Sequence, residues 1–288
     1  MSASETLETR VLLTTDYVFS AASASTFAIQ NVNGNVQVSI NGGSPVLNQP
    51  LVDIGTISIN GSSGNDTVNV YPLNGLPSLV ITGGVVGAIG DVVTFQGGNA
   101  TSSMGALTVD NVGTINVTQT LKAQSIAVTT DKLFVGNATT GTAGTFSTTN
   151  GGAVSVTGGT VVSIGTSASI ISGGNVTLKA NSAATSAVSI NIAGTLSASV
   201  NAILRSDRLT DADPATTSSL ATTIQSTGKV LAAGSVTSDS RRLDLLAGGE
   251  ITSSQDLDWW YRDQVGVTIN TLDTGVYYGT IDAGIGGI

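Results

Sequence analysis

Short runs in which apolar and polar residues alternate recur along most of the chain. Each run is short and rich in β-branched residues, and clusters of Gly, Asn, Ser or Thr separate one run from the next. Alternation with a period of two predicts half-buried strands, so the chain is expected to be all-β. The runs are 36–40, 57–59, 67–71, 79–82, 92–95, 107–109, 114–117, 126–128, 133–135, 154–156, 161–164 and 176–178.

Such closely spaced strands suit either an antiparallel sandwich or barrel, or a parallel β-solenoid (β-helix) in which each coil holds two or three strands. Three features favour the solenoid. Gly-Gly followed by a strand recurs, as at Gly151-Gly152 and Gly173-Gly174. No proline interrupts the chain between Ser78 and Asp213. Aromatic residues, which usually fill a sandwich core, make up only 4% of the chain.

Two segments are expected to depart from the regular coils. Asn33-Gly34 lies between two alternating runs and predicts a β-hairpin, which would cap the open first coil. More than half of the charged residues fall within 205–263, which predicts a charged lateral insertion, with a helix or loop at 215–227. The predicted organisation is 1–16 sorting segment, 17–105 N-terminal β region and cap, 106–204 β-helix core, 205–263 charged insertion and coils, and 264–288 terminal strands.

Composition excludes several kinds of chemistry. The chain has no Cys and no His, which excludes disulfides, thiolate or histidine metal sites and Ser-His-Asp catalysis. The net charge is −9, with no basic stripe, so a nucleic-acid partner is not expected. No apolar stretch is long enough for a transmembrane helix, so an integral membrane segment is not expected either.

Residues 7–13, Leu-Glu-Thr-Arg-Val-Leu-Leu, resemble the LEPR-XLL motif found near the N-terminus of large, repetitive bacterial surface or secreted proteins. The match departs at Thr9, where the family has proline, and the basic residues that usually precede the motif are missing. The resemblance implies export and an extracellular or cell-surface location. It implies no particular chemistry.

Residues 61–69, Gly-Ser-Ser-Gly-Asn-Asp-Thr-Val-Asn, resemble one repeats-in-toxin nonapeptide with Ser62 in place of the second glycine. In that family calcium lies between consecutive repeats, held by carboxylates and carbonyl oxygens. The resemblance makes Asp66 a candidate metal ligand and calcium a possible cofactor. The next, more degenerate copy begins only at Gly87, so a plain turn at Asn65-Asp66 is the alternative.

Residues 106–204 are similar to filamentous-haemagglutinin-type repeats. The likeness is carried by the segment from Gly173 to Ala180 and by the run from Ile190 to Leu196. That family forms parallel β-helices on exported adhesins, so the resemblance implies the same fold here. Function does not follow from fold alone.

The sequence Trp259-Trp260-Tyr261-Arg262 is the most unusual in the chain. These residues are candidates for a plug over the last coil, for contact with another protein or with a second copy of the chain, or for contact with a glycan. Carboxylates beside arginines form a further set of candidates, here for acid–base chemistry on polysaccharide. That set is Asp239, Asp244, Glu250, Asp256, Asp258 and Asp263, with Arg241, Arg242 and Arg262.

The sequence therefore favours a non-enzymatic structural or adhesive protein of the bacterial cell surface or extracellular space, presenting a β-helical rod. Glycans, other surface proteins or copies of the same chain are the expected partners, and no cofactor is required. A carbohydrate-active β-helix enzyme, such as a polysaccharide lyase or hydrolase, is one alternative. A calcium-dependent binding module is the other.

Overall fold

A computed structural model shows a chain built almost wholly of strands. All 24 strands of the described residues belong to one continuous sheet, and the single helical element among them is a short 3-10 helix at Leu51–Asp53. The all-β prediction is therefore confirmed. The structure describes residues 14–84, 90–98, 100–136, 142–182, 188–208, 220–240, 242–246, 249–254, 257–260 and 268–269.

The strands follow the alternating runs of the sequence, and several are long enough to turn a corner of the coil. In chain order they are β1 (Thr15–Ser20), β2 (Thr26–Val32), β3 (Asn35–Ile40), β4 (Leu47–Pro50), β5 (Ile54–Asn60), β6 (Thr67–Val70), β7 (Asn74–Thr82), β8 (Val92–Phe95), β9 (Thr101–Val117), β10 (Thr120–Val135), β11 (Thr145–Thr148), β12 (Val154–Ile164), β13 (Ser169–Ser172), β14 (Val176–Ser182), β15 (Val188–Ile192), β16 (Thr195–Ala198), β17 (Ala202–Arg208), β18 (Leu220–Ile224), β19 (Lys229–Ala232), β20 (Val236–Ser240), β21 (Arg242–Leu245), β22 (Glu250–Ser253), β23 (Leu257–Trp260) and β24 (Thr268–Ile269).

Parallel pairing arranges these strands on three faces, so each complete coil contributes one strand to each face. Face A stacks β1, β5, β7, β9, β10, β12, β14, β17, β20 and β23. Face B stacks β2, β6 and β8, the later parts of β9, β10 and β12, and then β15, β18, β21 and β24. Face C stacks the first parts of β7, β9 and β10, and then β11, β13, β16, β19 and β22.

The core consists of columns of inward side chains, most of them aliphatic, that run along the solenoid. Because the pairing is in register, each inward residue lies directly above its counterpart in the next coil. Along face A, for example, Ile57 pairs with Leu79, and Leu79 pairs with Leu107. The column continues through Ile126, Val154 and Val176, and all of these side chains are buried.

Paired glycines let successive coils approach closely at the corner between faces C and A. A Cβ atom on Gly152 would collide with the carbonyl oxygen of Gln124, and one on Gly174 would collide with that of Gly151. No side chain fits between backbones at that distance. The recurring Gly-Gly pairs of the sequence are therefore a requirement of coil stacking.

The predicted hairpin caps the first coil. Asn33 and Gly34 take positive φ values of 55° and 84° and join β2 to β3, which is the geometry that Asn-Gly favours in a tight turn. β3 pairs antiparallel with the edge of β2 that β6 leaves open, and β4 extends the same antiparallel sheet. Val36, Val38 and Leu47 are buried, so the hairpin covers the N-terminal end of the core.

Region 205–263 continues the coils over most of its described length. β18, β19 and β20 stack in turn on faces B, C and A, and β21 and β22 follow them on faces B and C. The expectation of a helix or loop at 215–227 is wrong for 220–224, which forms β18. Pairing with β15 on one side and β21 on the other outweighs the weak local preference of Leu-Ala-Thr-Thr-Ile. Residues 209–219 and 261–267 lie outside the described residues.

The corners of the coil differ in how much chain they hold. Between faces A and B, residues 61–66 separate β5 from β6, residues 209–219 separate β17 from β18, and Arg241 alone separates β20 from β21. Between faces C and A the connection stays short, as at 173–175 and 233–235. Strand register is kept across this variation in corner length.

Candidate functional site

The two tryptophans of the aromatic cluster belong to the last described strand of face A. β23 pairs with β20, which sets the backbone of Trp259 against Ser238 and that of Trp260 against Asp239. The backbone of Trp259 thus continues the column formed by Leu204 and Ser238 in the two preceding coils. The side chains of Leu204 and Ser238 are both buried. Tyr261 and Arg262 lie outside the described residues.

The positions that pair in register with Trp260 in the three preceding coils of face A carry charged residues on the outer side. Lys179, Arg205 and Asp239 occupy these positions in three successive coils. Arg205 Nε lies 3.3 Å from Asp239 Oδ2, with both side chains partly buried. This ion pair ties neighbouring coils together on the outer surface of face A.

The candidate acid–base residues are spread around the solenoid. Asp239 lies on face A, Asp244 on face B and Glu250 on face C, so the fold places each carboxylate on a different face. The backbone of Asp258 continues the outer row of Thr237 on face A. The remaining members, Asp256, Asp263, Arg241 and Arg262, lie outside the described residues, and the side chain of Arg242 is not described.

Glu250 has a local role on face C. Its carboxylate accepts a hydrogen bond from Lys229 Nζ at 3.0 Å, in the preceding coil, and another from Thr252 Oγ1 at 3.0 Å. The hydrogen bond from Lys229, with a further contribution from Thr252, lowers the pKa of Glu250 below its usual value. Both members of this ion pair are exposed, so it is a surface contact between coils.

Asp66 is buried at the corner between faces A and B, and both of its carboxylate oxygens accept hydrogen bonds from the protein. Its Oδ1 accepts the backbone N–H of Ser25 at 2.7 Å, in the preceding coil. Its Oδ2 accepts both the backbone N–H of Ser62 at 2.5 Å and the Ser62 hydroxyl at 2.9 Å. Ser62, which replaces the second glycine of the nonapeptide, is thus a hydrogen-bond partner of the aspartate.

Asp91 repeats this arrangement one coil later. Its Oδ1 accepts the backbone N–H of Asp66 at 2.8 Å, and its Oδ2 accepts the N–H of Gly84 at 3.3 Å. Asp91 is also buried, and a cavity of about 10 Å³, room for roughly one water molecule, lies between the two carboxylates and the neighbouring core. Two aspartates in series therefore connect three coils.

This geometry does not fit a calcium site centred on Asp66. Calcium takes six to eight oxygen ligands, whereas both oxygens of Asp66 already accept N–H or O–H groups. Within the described part of the chain, no group of three or more Asp, Glu, His or Cys residues could hold a metal ion. The observed contacts agree with the alternative interpretation, in which Asn65-Asp66 forms a plain turn. Calcium binding by Asp66 stays a prediction.

A row of polar and aromatic side chains that the sequence did not indicate crosses the outer side of the hairpin sheet and the first coils of face B. Gln30 pairs with Gln37 across the hairpin, and Gln37 pairs with Asn48. On the other side of Gln30, the backbone N–H of Tyr71 donates to the Ile29 carbonyl, and that of Gln96 donates to the Val70 carbonyl. Asn48, Gln37, Gln30, Tyr71 and Gln96 thus form a line across five adjacent strands, called here the amide–tyrosine row.

The fold defines the protein as a parallel β-solenoid with three strands in each complete coil. No family model, curated protein or solved structure matches the chain. The LEPR-XLL-like residues 7–13 lie outside the described residues, and their resemblance stays a prediction. Among the described residues, no helix is long and apolar enough to span a membrane.

Proposed function

We propose that the protein is a non-enzymatic structural or adhesive component of the bacterial cell surface or extracellular space. In this role the solenoid is a rod that holds binding surfaces away from its point of attachment. The proposal rests chiefly on one observation: the face A column that begins at Ile57 stays apolar and buried in every coil as far as Val236. A core of this form supports stiffness along one axis.

The outer faces support the same role. Outward positions carry mostly short hydroxyl and amide side chains, such as the face C row of Thr120, Thr145, Ser169 and Thr195. These side chains solvate the rod with little charge, since only 10% of the residues are charged. The composition and the LEPR-XLL-like segment, both sequence observations, support the extracellular location.

The enzyme alternative has less support from the described geometry. A glycosidase needs two carboxylates on opposite sides of one scissile bond, separated by about 5 to 9.5 Å. Asp239, Asp244 and Glu250 instead occupy three different faces. Lyase or hydrolase activity is therefore the alternative that a polysaccharide-cleavage assay would detect.

Two measurements test the proposed function. Small-angle X-ray scattering of the purified chain should give an elongated particle, because ten strands stacked on face A at about 4.8 Å span roughly 43 Å. Protease digestion of intact producing cells should remove the protein, while a cytoplasmic marker survives. A protein that stays protected until the cells are lysed would contradict the proposal. Cleavage of neutral or acidic polysaccharides that is lost in Asp258→Ala would favour the enzyme.

A further inference from the structure

We propose that the amide–tyrosine row is a binding surface for an uncharged polysaccharide, which lies across the outer side of β4, β3 and β2 and continues over the first coils of face B. This inference rests on the adhesive role proposed above and names its ligand class and site. The row contains Asn48, Gln37, Gln30, Tyr71 and Gln96, one residue from each of five adjacent strand positions. At about 4.8 Å between strands it extends over roughly 19 Å.

The strands that carry the row contain no charged residue. None of the residues in β2, β3, β4, β6 and β8 is charged, although the whole protein has a net charge of −9. Asp66 and Asp91 lie at the neighbouring corner, but both carboxylates are buried and hydrogen-bonded within the protein. A charged ligand would lose hydration of its charge on this surface without gaining a partner of opposite charge. A neutral ligand does not have this cost.

The amides of the row suit a ligand covered with hydroxyl groups. Gln30 Nε2 donates to Gln37 Oε1 at 3.4 Å, and Gln37 Nε2 donates to Asn48 Oδ1 at 3.4 Å. Asn35 Nδ2 also donates to Asn48 Oδ1, at 3.0 Å. Each amide has two N–H donors and a carbonyl with two lone pairs, so these contacts use only part of its capacity. The chain of hydrogen bonds orients the amides and leaves further donors and acceptors facing outward.

Tyr71 adds a flat apolar surface to this polar row. Its side chain is 39% exposed, while Val70 and Ile29 on the inner side of the same strands are fully buried. Strand alternation therefore keeps Tyr71 on the outer side, level with Gln30. An aromatic ring presents a broad face at low conformational cost, and the C–H groups on one side of a sugar ring can pack against such a face.

A protein partner is less well matched to this surface. The central part of a protein–protein interface is usually more apolar than the rest of the surface, with several large aromatic or aliphatic side chains and few charged ones. The row instead surrounds a single aromatic ring with amides, and its neighbours on the outer side of face B are Asn69 and Thr94. Closely spaced hydroxyl-bonding groups around one ring favour a saccharide.

The test uses the full chain and defined polysaccharides. Affinity electrophoresis and titration calorimetry would compare xylan, starch, galactan and mixed-linkage β-glucan with polygalacturonate as the acidic comparison. We expect at least one neutral polysaccharide to bind, and polygalacturonate not to bind. Tyr71→Ala and Gln37→Ala should each weaken binding about tenfold, which corresponds to about 1.4 kcal/mol. Tyr71→Phe, which keeps the ring, should retain most of the affinity.

Matched control variants lie on other parts of the solenoid. Ile171→Ala removes a side chain that is 44% exposed on face C, and Gln124→Ala removes an exposed amide at the corner between faces C and A. Both should bind like the wild type, and far-UV circular dichroism should show every variant folded. Absence of binding to all four neutral polysaccharides would overturn the inference, as would binding only to polygalacturonate. Binding unchanged in a folded Tyr71→Ala, Gln37→Ala double variant would overturn the assignment to this face.

Failure of this inference is distinguishable from failure of the proposed function. An elongated, protease-accessible surface protein that ignores neutral polysaccharides would keep the structural role and lose the glycan site. A protein that binds them through Tyr71 but stays inside the cell would keep the site and lose the surface role.

Discussion

Asp91 accepts a hydrogen bond from the backbone N–H of Asp66, one coil earlier, at 2.8 Å between Oδ1 and N. Asp66 in turn accepts the backbone N–H of Ser25 in the coil before that. A carboxylate therefore replaces the backbone carbonyl that would otherwise accept each of these donors. The two residues hold three coils together at a corner where the chain leaves the regular strand pairing.

Asp66→Ala should lower the free energy of unfolding. The change removes the acceptor for the N–H groups of Ser25 and Ser62, and a buried donor left without a partner, as at Ser62, costs about 1–3 kcal/mol. Urea denaturation of the variant and the wild type measures the difference. Asp53→Ala, at an exposed aspartate near the cap, is the matched control and should change stability little. Equal stability of Asp66→Ala and the control would show that the hydrogen bonds at this corner contribute nothing.

Folding should not depend on calcium. The oxygens of Asp66 already accept hydrogen bonds from the protein, so chelation has no ligand to remove from them. Melting temperature in the presence of excess chelator should equal that in added calcium. A fall in melting temperature on chelation that calcium restores and magnesium does not would show that Asp66 or another site binds the metal.

Gly152→Ala should destabilise the solenoid strongly. The added Cβ would overlap the carbonyl oxygen of Gln124 in the preceding coil, and a clash with backbone cannot be relieved by a rotamer change. Overpacking of this kind typically costs about 1–3 kcal/mol. In Gly43→Ala the nearest atom to the new Cβ, the Ile40 carbonyl oxygen, is 3.2 Å away, so this variant is the milder comparison. Thermal unfolding of both variants should rank Gly152→Ala as the less stable.

Trp259→Ala should cost more stability than Trp260→Ala. Strand register continues the column of Leu204 and Ser238 to Trp259, and both of those side chains are buried. Truncation of a tryptophan in a core position typically costs about 3–5 kcal/mol, and the register places the backbone of Trp259 in line with such positions. Trp260 instead continues the outer row of Arg205 and Asp239. Sedimentation velocity on Trp260→Ala then tests for a contact between chains, since loss of self-association without loss of stability would identify an interface.

The contact between Glu250 and Lys229 should contribute a small, pH-dependent stability. The pKa of Glu250 is lower in the folded protein than in the unfolded chain, so the contribution is present above the unfolded pKa and is lost as pH falls through the folded pKa. Exposed ion pairs contribute about 0–1 kcal/mol, and salt screens them. NMR titration should show the Glu250 pKa rising in Lys229→Met. An unchanged pKa in that variant would mean that Lys229 does not hold the carboxylate in solution.

Strand positions could be predicted from the sequence because alternation is a local signal. The run at 92–95 coincides with β8, and Asn33-Gly34 forms the predicted turn. Pairing between coils could not be predicted, because the coils differ in length. Ile57 pairs with Leu79, 22 positions later, whereas Ala202 pairs with Val236, 34 positions later. Without a fixed period, neither the neighbour of β18 nor the strand character of 220–224 is visible in the sequence.

The amide–tyrosine row was missed for the same reason. Tyr71 and Gln30 are far apart in sequence, and only the pairing of Ile29 with Val70 brings them level. Gln37 is level with Gln30 through the antiparallel register of the hairpin, which the Asn-Gly turn alone could have indicated. Asn48 joins the line through the pairing of β3 with β4, which that turn does not determine. The aromatic cluster at 259–262, by contrast, is conspicuous in sequence because its members are consecutive.

The unequal corners of the coil show where the solenoid accommodates extra chain. Residues 209–219 lie between β17 and β18, and both strands keep their parallel neighbours on either side of this segment. Chain added between faces C and A would meet the close backbone contact at Gly152 or Gly174. The corner between faces A and B therefore accommodates connections of different length without a change in strand pairing. A peptide to be displayed on this scaffold would be inserted within 209–219, where the chain already separates two strands that keep their register.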